Sequence, residues 1–163
     1  MQSIKRIIDN KSGCFYFTKC KDAIRSLKNS TSDVPNQAGI YLVFSQLIID
    51  KNNSHLHYLI NDIQHELIYF GKAGGVTKSG KLIKQGLYGR INNVTSDSKR
   101  GLKDVKRAIY WNLIMEELDI SKIHICYIMN PNPLIIEGEI YHYLNENNLD
   151  YPLLNKRLGR KRD

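Results

Sequence analysis

Apolar residues follow one another closely in several short segments of the chain, and these runs predict strands. Residues 39–45 (GIYLVFS) and 67–71 (LIYFG) are rich in the β-branched and aromatic residues that strands favour. In residues 123–129 apolar residues occupy every second position, which predicts a strand buried on one side. Residues 14–17 are also strand-like, whereas residues 46–65 fit either a hairpin or a strand followed by a short helix.

Other segments have the apolar spacing of helices. They lie at residues 4–8, 18–27, 87–94, 103–118 and from Pro133 onward, with Asn132 as a suitable cap for the last of them. The helix 103–118 has the most regular pattern, and its predicted buried face consists of Val105, Ala108, Ile109, Leu113, Ile114 and Met115. The buried face predicted for the last helix consists of Ile136, Ile140, Tyr143 and Leu144.

The order of these elements predicts an α/β fold with a small, mainly antiparallel sheet of about three strands flanked by helices. Residues 35–155 are predicted to form the main domain, and residues 156–163 a basic tail. Residues 1–34 are predicted to be an N-terminal helical and strand-containing extension packed on the core. The length of 163 residues suits one such domain with its own core.

Charge and composition narrow the function classes. The chain carries 24 Lys and Arg residues against 16 Asp and Glu, a net charge of +8 that favours nucleic acid as a partner before a membrane surface. No apolar run approaches the roughly 20 residues of a membrane span, and we expect no membrane association. The three cysteines are sparse and lack CxxC spacing, so we expect a reducing compartment, the cytoplasm.

The positive charge is concentrated in one part of the chain. Residues 72–107 contain ten Lys and Arg residues and only two acidic ones, and the tail is basic as well. Such clustering is typical of a surface that contacts a phosphate backbone. The residues predicted to bind nucleic acid are Lys78, Lys81, Lys84, Tyr88, Lys99, Arg100, Lys156 and Arg157.

Five short motifs occur in an order typical of one family. They are Gly39-Ile40-Tyr41, Tyr69-Phe70-Gly71-Lys72, Arg90 on the following predicted helix, Glu137 on the last helix, and Asn155 after Pro152. Together they resemble the signature of the GIY-YIG nucleases, with Phe70 in place of the usual Ile. The resemblance covers residues 39–155, about three-quarters of the chain.

The resemblance implies an endonuclease that depends on Mg²⁺, with Mn²⁺ as a substitute. It implies that the enzyme cuts double-stranded DNA and leaves 5′-phosphate and 3′-hydroxyl ends, with one of two tyrosines as general base. The implied catalytic residues are Tyr41, Tyr69, Lys72, Arg90 and Glu137, and the implied structural residues at the site are Gly39, Gly71 and Asn155.

These residue types suit phosphodiester hydrolysis. Glu137 can be the single protein ligand of Mg²⁺, which keeps several waters and takes one or two carboxylates plus substrate phosphate. Glu139 competes for this role, although its helical position lies farther from the apolar face. Arg90 offers a fixed fork of donors for phosphate oxygens. A tyrosine has a pKa of about 10 and needs a nearby cation to act as a base, for which Lys72 is the candidate beside Tyr69.

Several alternatives stay open. Residues 75–81 nearly match a phosphate-binding loop, but Leu82 replaces the Ser or Thr that would bind Mg²⁺. A basic DNA-binding module that does not cut is another candidate, although binding alone does not need Glu137. Val94 stands where many family members carry a His or Tyr one helical turn after the Arg, which leaves the general base undecided. Zinc is not expected, because the histidines and the three cysteines lack ligand spacing.

The biological role follows less directly from the sequence. A stand-alone restriction- or phage-type endonuclease suits the basic insertion and tail best, and a repair or structure-specific nuclease of the same family is the alternative. Cutting both strands needs two active sites, as in a homodimer or a higher homo-oligomer, or one active site that binds the two strands in succession.

Overall fold

The computed structural model describes residues 4–49, 51–52 and 54–155. Its main sheet has five strands in the order β1-β7-β2-β4-β3, and every neighbouring pair is antiparallel. A separate two-stranded sheet consists of β5 and β6. The strands are β1 (Gly13–Thr18), β2 (Gly39–Ser45), β3 (His57–Ile60), β4 (Ile63–Ala73), β5 (Val94–Asp97), β6 (Leu102–Lys106) and β7 (Lys122–Met129).

Five helices cover the two faces of the main sheet. They are α1 (Ile4–Asp9), α2 (Ala23–Ser30), α3 (Leu87–Asn92), α4 (Arg107–Leu118) and α5 (Pro133–Glu146). Helices α2, α3 and α4 bury their apolar residues against one face, and α1 and α5 against the other. The fold is therefore α/β, as predicted, with three layers. None of these helices, in the part of the chain that the structure describes, is long and apolar enough to cross a membrane.

The sheet is wider than the predicted three strands. The strand-like residues 14–17 belong to β1, which pairs with β7, and the ambiguous residues 46–65 contribute the β3–β4 hairpin. Strand β7 therefore lies between β1 and β2, and six consecutive residues of it are buried. The prediction that residues 123–129 are buried on one side only was wrong, because helices cover both faces of the sheet.

The prediction for the fourth helix needs two corrections. Helix α4 begins at Arg107, and the residues before it form β6, which pairs with β5. Of the predicted buried face, Ile109 and Leu113 are 37% and 44% exposed. The core side instead holds Tyr110 and Trp111, whose large rings bury more apolar area than an aliphatic side chain does.

The remaining helices agree with the pattern except at their ends. Helix α2 begins at Ala23 rather than near Thr18, and α3 ends at Asn92. Val94 is therefore the first residue of β5, 40% exposed, and does not lie one helical turn beyond Arg90 as predicted. Helix α5 begins at Pro133, directly after Asn132, as predicted.

Candidate active site

A cavity of about 220 Å³ opens where β4, α3, α4 and α5 meet the segment that ends at Asn155. Six of the residues singled out from the sequence line it: Tyr69, Gly71, Lys72, Arg90, Glu137 and Asn155. The other lining residues are Phe70, Thr95, Ser96, Arg107, Tyr110, Trp111, Tyr141 and Leu154. The fold thus gathers residues from 69 to 155 around one polar concavity.

The two motif tyrosines lie on neighbouring strands, and only one of them lines the cavity. Tyr41 on β2 and Tyr69 on β4 have ring centroids 5.8 Å apart. Tyr41 is 1% exposed, and its hydroxyl has no hydrogen-bond partner among the described residues. Burial raises the pKa of Tyr41 above its ordinary value, and the partly opposing influence comes from Arg107. Tyr41 therefore stays protonated near neutral pH and is a poor base.

The motif glycines allow close packing at this point. A Cβ atom on Gly71 would lie 3.1 Å from the Tyr41 hydroxyl and 3.1 Å from the Tyr69 ring. A Cβ atom on Gly39 would lie 2.3 Å from the carbonyl oxygen of Ile128. Gly71 thus gives the two tyrosine rings room beside β4, and Gly39 lets β2 pass close to β7.

Two arginines bring positive charge to the tyrosines. Arg90 lies on α3, and Arg107, which is 5% exposed, is the first residue of α4. The Nε atoms of both are buried and have no hydrogen-bond partner among the described residues. Buried, unused guanidinium donors are suited to an incoming phosphate oxygen, because an unsatisfied buried donor is costly.

Arg107 was missed as a site residue in the sequence. Burial lowers the pKa of Arg107. The neighbouring Tyr41 and Tyr69, and a hydrogen bond to Tyr69, raise it by more, so the net effect is a raised pKa. It therefore stays charged. The local sequence pattern does not single it out, because Arg107 is one of ten Lys and Arg residues in the basic segment 72–107.

Glu137 lies near Lys72, the residue that we predicted to lower the pKa of Tyr69. Its Oε1 atom lies 3.6 Å from the Nζ atom of Lys72, and the two side chains are 13% and 26% exposed. Lys72 lies an odd number of residues after Tyr69 on β4, so the two side chains leave opposite faces of the strand. We expected Lys72 to act on Tyr69, but the structure pairs it with Glu137 and places Arg107 beside the tyrosines.

Asn155 holds the last described segment against β4. Its Oδ1 accepts a hydrogen bond from the backbone N–H of Phe70, and its Nδ2 donates one to the Phe70 carbonyl, each at 3.0 Å. The side chain is 4% exposed. Asn155 therefore fixes the strand that carries Tyr69 and Lys72.

The predicted DNA-binding residues fall into different groups. Lys78, Lys81 and Lys84 are exposed on the segment between β4 and α3, and Lys99 is exposed in the 3₁₀ turn between β5 and β6. Tyr88 is half-buried on α3. The predicted contacts Lys156 and Arg157 lie outside the described residues.

Arg100 differs from this group because acidic residues already engage it. Its guanidinium contacts Glu117 at 2.6 and 2.8 Å and Asp97 at 2.8 Å. The hydrogen bonds to Glu117, with those to Asp97, raise the pKa of Arg100 despite its partial burial. This side chain stabilises the β5–β6 hairpin against α4, so we leave it out of the candidate DNA contact surface.

The near-match to a phosphate-binding loop does not have the backbone of one. Val76 and Leu82 form an isolated antiparallel bridge, and Lys81 N–H donates to the Thr77 hydroxyl. The next helix begins only at Leu87. A phosphate loop needs a helix N-terminus directly after its glycines, so nucleotide binding here has no structural support.

Comparisons of the chain with protein-family models, with curated proteins and with solved structures gave no match.

Proposed function

We propose that the chain is a Mg²⁺-dependent DNA endonuclease that resembles the GIY-YIG nucleases. One observation carries the proposal: Tyr69, Arg90 and Glu137, which lie far apart in the sequence, line the same cavity. A hydroxyl, a guanidinium and a carboxylate are the groups that phosphodiester hydrolysis needs for water, phosphate charge and metal.

Glu137 fits the expected metal ligand. Its carboxylate lines the cavity, and the ammonium of Lys72, at 3.6 Å, is too distant to be a close hydrogen-bond partner. One carboxylate together with phosphate oxygens and waters is a usual ligand set for Mg²⁺. When bound, the ion would neutralise negative charge on the phosphate and on the leaving oxygen. The Lys72 ammonium attracts the Glu137 carboxylate across this distance and helps to hold it at the cavity.

The other residues bind and orient the substrate. Arg90 and Arg107 hold the non-bridging phosphate oxygens with their unused donors, so the charge that develops in the transition state meets donors already in place. The Tyr69 hydroxyl orients the attacking water at the cavity wall. Tyr41 packs against Tyr69 and excludes solvent behind it.

The two tyrosines should differ when each loses its hydroxyl. Tyr69→Phe is expected to lower the single-turnover cleavage rate by about 100-fold, because a reacting group misplaced by about 1 Å can cost about that much. Tyr41→Phe removes a buried hydroxyl that has no partner among the described residues, so we expect a change below about 5-fold. Rates would be measured on a labelled duplex. A larger loss in Tyr41→Phe than in Tyr69→Phe would contradict the assignment.

The exposed lysines between β4 and α3 should contribute affinity rather than chemistry. Replacing Lys78, Lys81 and Lys84 together by alanine is expected to weaken duplex binding and to reduce the salt slope by about one for each phosphate that is no longer neutralised. A matched triple replacement of Lys5, Lys21 and Lys28, which are also exposed, is the control. Equal salt slopes for both triple variants, from fluorescence anisotropy, would remove this surface from the proposal.

The chemistry of the ends tests the proposed reaction. Plasmid nicked by the protein in Mg²⁺ is expected to be sealed by a DNA ligase, which requires a 5′-phosphate next to a 3′-hydroxyl. Nicks that resist ligation until the 3′-phosphate is removed and the 5′-hydroxyl is phosphorylated, both of which polynucleotide kinase does, would contradict the proposed bond cleavage. We favour a stand-alone restriction- or phage-type enzyme, because basic residues within the domain itself can contact DNA. Discrete fragments would indicate the restriction type.

A further inference from the structure

Cys14 meets His124 and Cys126, which lie far from it in the sequence, on the sheet face opposite Tyr41. Cys14 on β1 lies directly across from Cys126 on β7, and His124 is two residues before Cys126 on the same strand. The two Sγ atoms and a ring nitrogen of His124 all lie within 4.8 Å of one another. None of the three lines the cavity described above.

The state of His124 is a second, independent indication of a ligand. The side chain is 4% exposed, yet neither ring nitrogen has a hydrogen-bond partner among the described residues. A buried, unsatisfied imidazole is costly, and a bound cation would satisfy it.

A second histidine faces the same region. The ring centroid of His65 lies 5.9 Å from that of His124. Its Nδ1 lies 2.8 Å from the carbonyl oxygen of Ile63 and must donate there, since a carbonyl can only accept. Its buried Nε2 has no hydrogen-bond partner among the described residues. Metal-binding histidines usually hold their other nitrogen in this way.

We propose that Cys14, His124 and Cys126 bind a zinc ion. Two thiolates and one neutral imidazole are soft and borderline ligands, which select zinc over Mg²⁺ or Ca²⁺. Binding displaces one proton from each thiol, and the two resulting negative charges balance the divalent cation. Ligands at about 2.3 Å from a tetrahedral zinc lie about 3.7 Å apart, so the cluster needs only a modest contraction.

The ion would join β1 to the centre of the sheet. Strand β1 is the edge strand next to β7, and Cys14 is the ligand that it contributes. Zinc would therefore stabilise the attachment of the N-terminal strand by linking it to β7. This role is separate from the proposed nuclease chemistry, and either can fail without the other.

Cobalt titration of the reduced protein tests the proposal. We expect one Co²⁺ per chain, with a thiolate-to-cobalt charge-transfer band and the visible bands of tetrahedral cobalt, and displacement of cobalt by Zn²⁺. Cys14→Ser should abolish the thiolate band and weaken zinc affinity by more than about 100-fold, beyond the usual effect of an outer-shell change. Cys14 is exposed, so this variant should fold.

Cys20→Ser is the matched control, because the third cysteine lies outside the cluster. It should keep the cobalt spectrum, and zinc should raise the thermal midpoint of the wild type and of Cys20→Ser but not of Cys14→Ser. Absence of a thiolate band in the wild type, with Cys14 and Cys126 kept reduced, would overturn the proposal. An unchanged band in Cys14→Ser would overturn it as well.

Discussion

Glu137→Gln is expected to lower the rate of DNA cleavage by at least about 1000-fold in Mg²⁺, a larger loss than any other single substitution at the site should cause. The amide keeps the size of the side chain but removes the negative charge that would hold the metal. It also removes the ionic attraction to Lys72 across 3.6 Å. Single-turnover cleavage of a labelled duplex measures the loss, and anisotropy without Mg²⁺ measures binding, which should change by less than about 5-fold.

The matched control is Glu139→Gln, two residues further along α5. Both glutamates are half-buried, but Glu137 is the one that lines the cavity. We expect Glu139→Gln to retain cleavage within about 5-fold of the wild type. If Glu139→Gln lost activity while Glu137→Gln kept it, the metal-ligand assignment would be wrong even if the protein is a nuclease.

Asn155→Ala is expected to lower the free energy of unfolding by about 3 kcal/mol. The change leaves the N–H and the carbonyl of Phe70 without their two 3.0 Å partners in a buried place, and each unsatisfied group costs about 1–3 kcal/mol. For a chain of this size the thermal midpoint should fall by about 6–12 °C. Urea unfolding followed by circular dichroism gives the free energy directly.

Asn147→Ala provides the comparison for this stability effect. Asn147 also donates a side-chain hydrogen bond to a backbone carbonyl, that of Tyr143 at 2.8 Å, but at an exposed site. Water can replace that bond, so we expect a loss below about 1 kcal/mol. Equal losses in the two variants would show that Asn155 does not fix β4 as the geometry indicates.

The local pattern was sufficient for the strands that carry the motifs. Residues 39–45 match β2, and the strand predicted at 67–71 lies within β4, because runs of β-branched and aromatic residues are locally distinctive. The width of the sheet could not be predicted in the same way. Residues 14–17 pair with β7, more than 100 positions away, and a local pattern does not encode that partner.

Helix α4 shows that apolar spacing alone did not predict which face of a helix is buried or where the helix begins. The spacing of Ile109 and Leu113 indicated one buried face, but the aromatic rings of Tyr110 and Trp111 determine which side packs on the sheet. The start of α4 was also predicted too early. Residues 102–106 pair with β5, and this tertiary pairing replaced the helical turn that the apolar spacing suggested.

Some residues of the candidate site could be predicted from the sequence, and others could not. Motif order was enough to select Tyr69, Arg90 and Glu137, which the fold gathers around one cavity. Arg107 could not be selected, because a single arginine in a basic segment carries no signal until α4 is placed against the tyrosines. The meeting of Cys14 with Cys126 was missed for a similar reason: ligand spacing was sought along the chain, whereas the register of β1 on β7 creates it.

Conversion of supercoiled plasmid by the wild-type protein, with Mg²⁺ or with EDTA, tests the central claim most directly. We expect nicked or linear DNA to accumulate with Mg²⁺ and not with EDTA, and we expect Glu137→Gln purified in the same way to leave the plasmid supercoiled. A wild-type protein that binds the plasmid but leaves it supercoiled in Mg²⁺ and in Mn²⁺ would contradict the account. So would cleavage that Glu137→Gln retains in full.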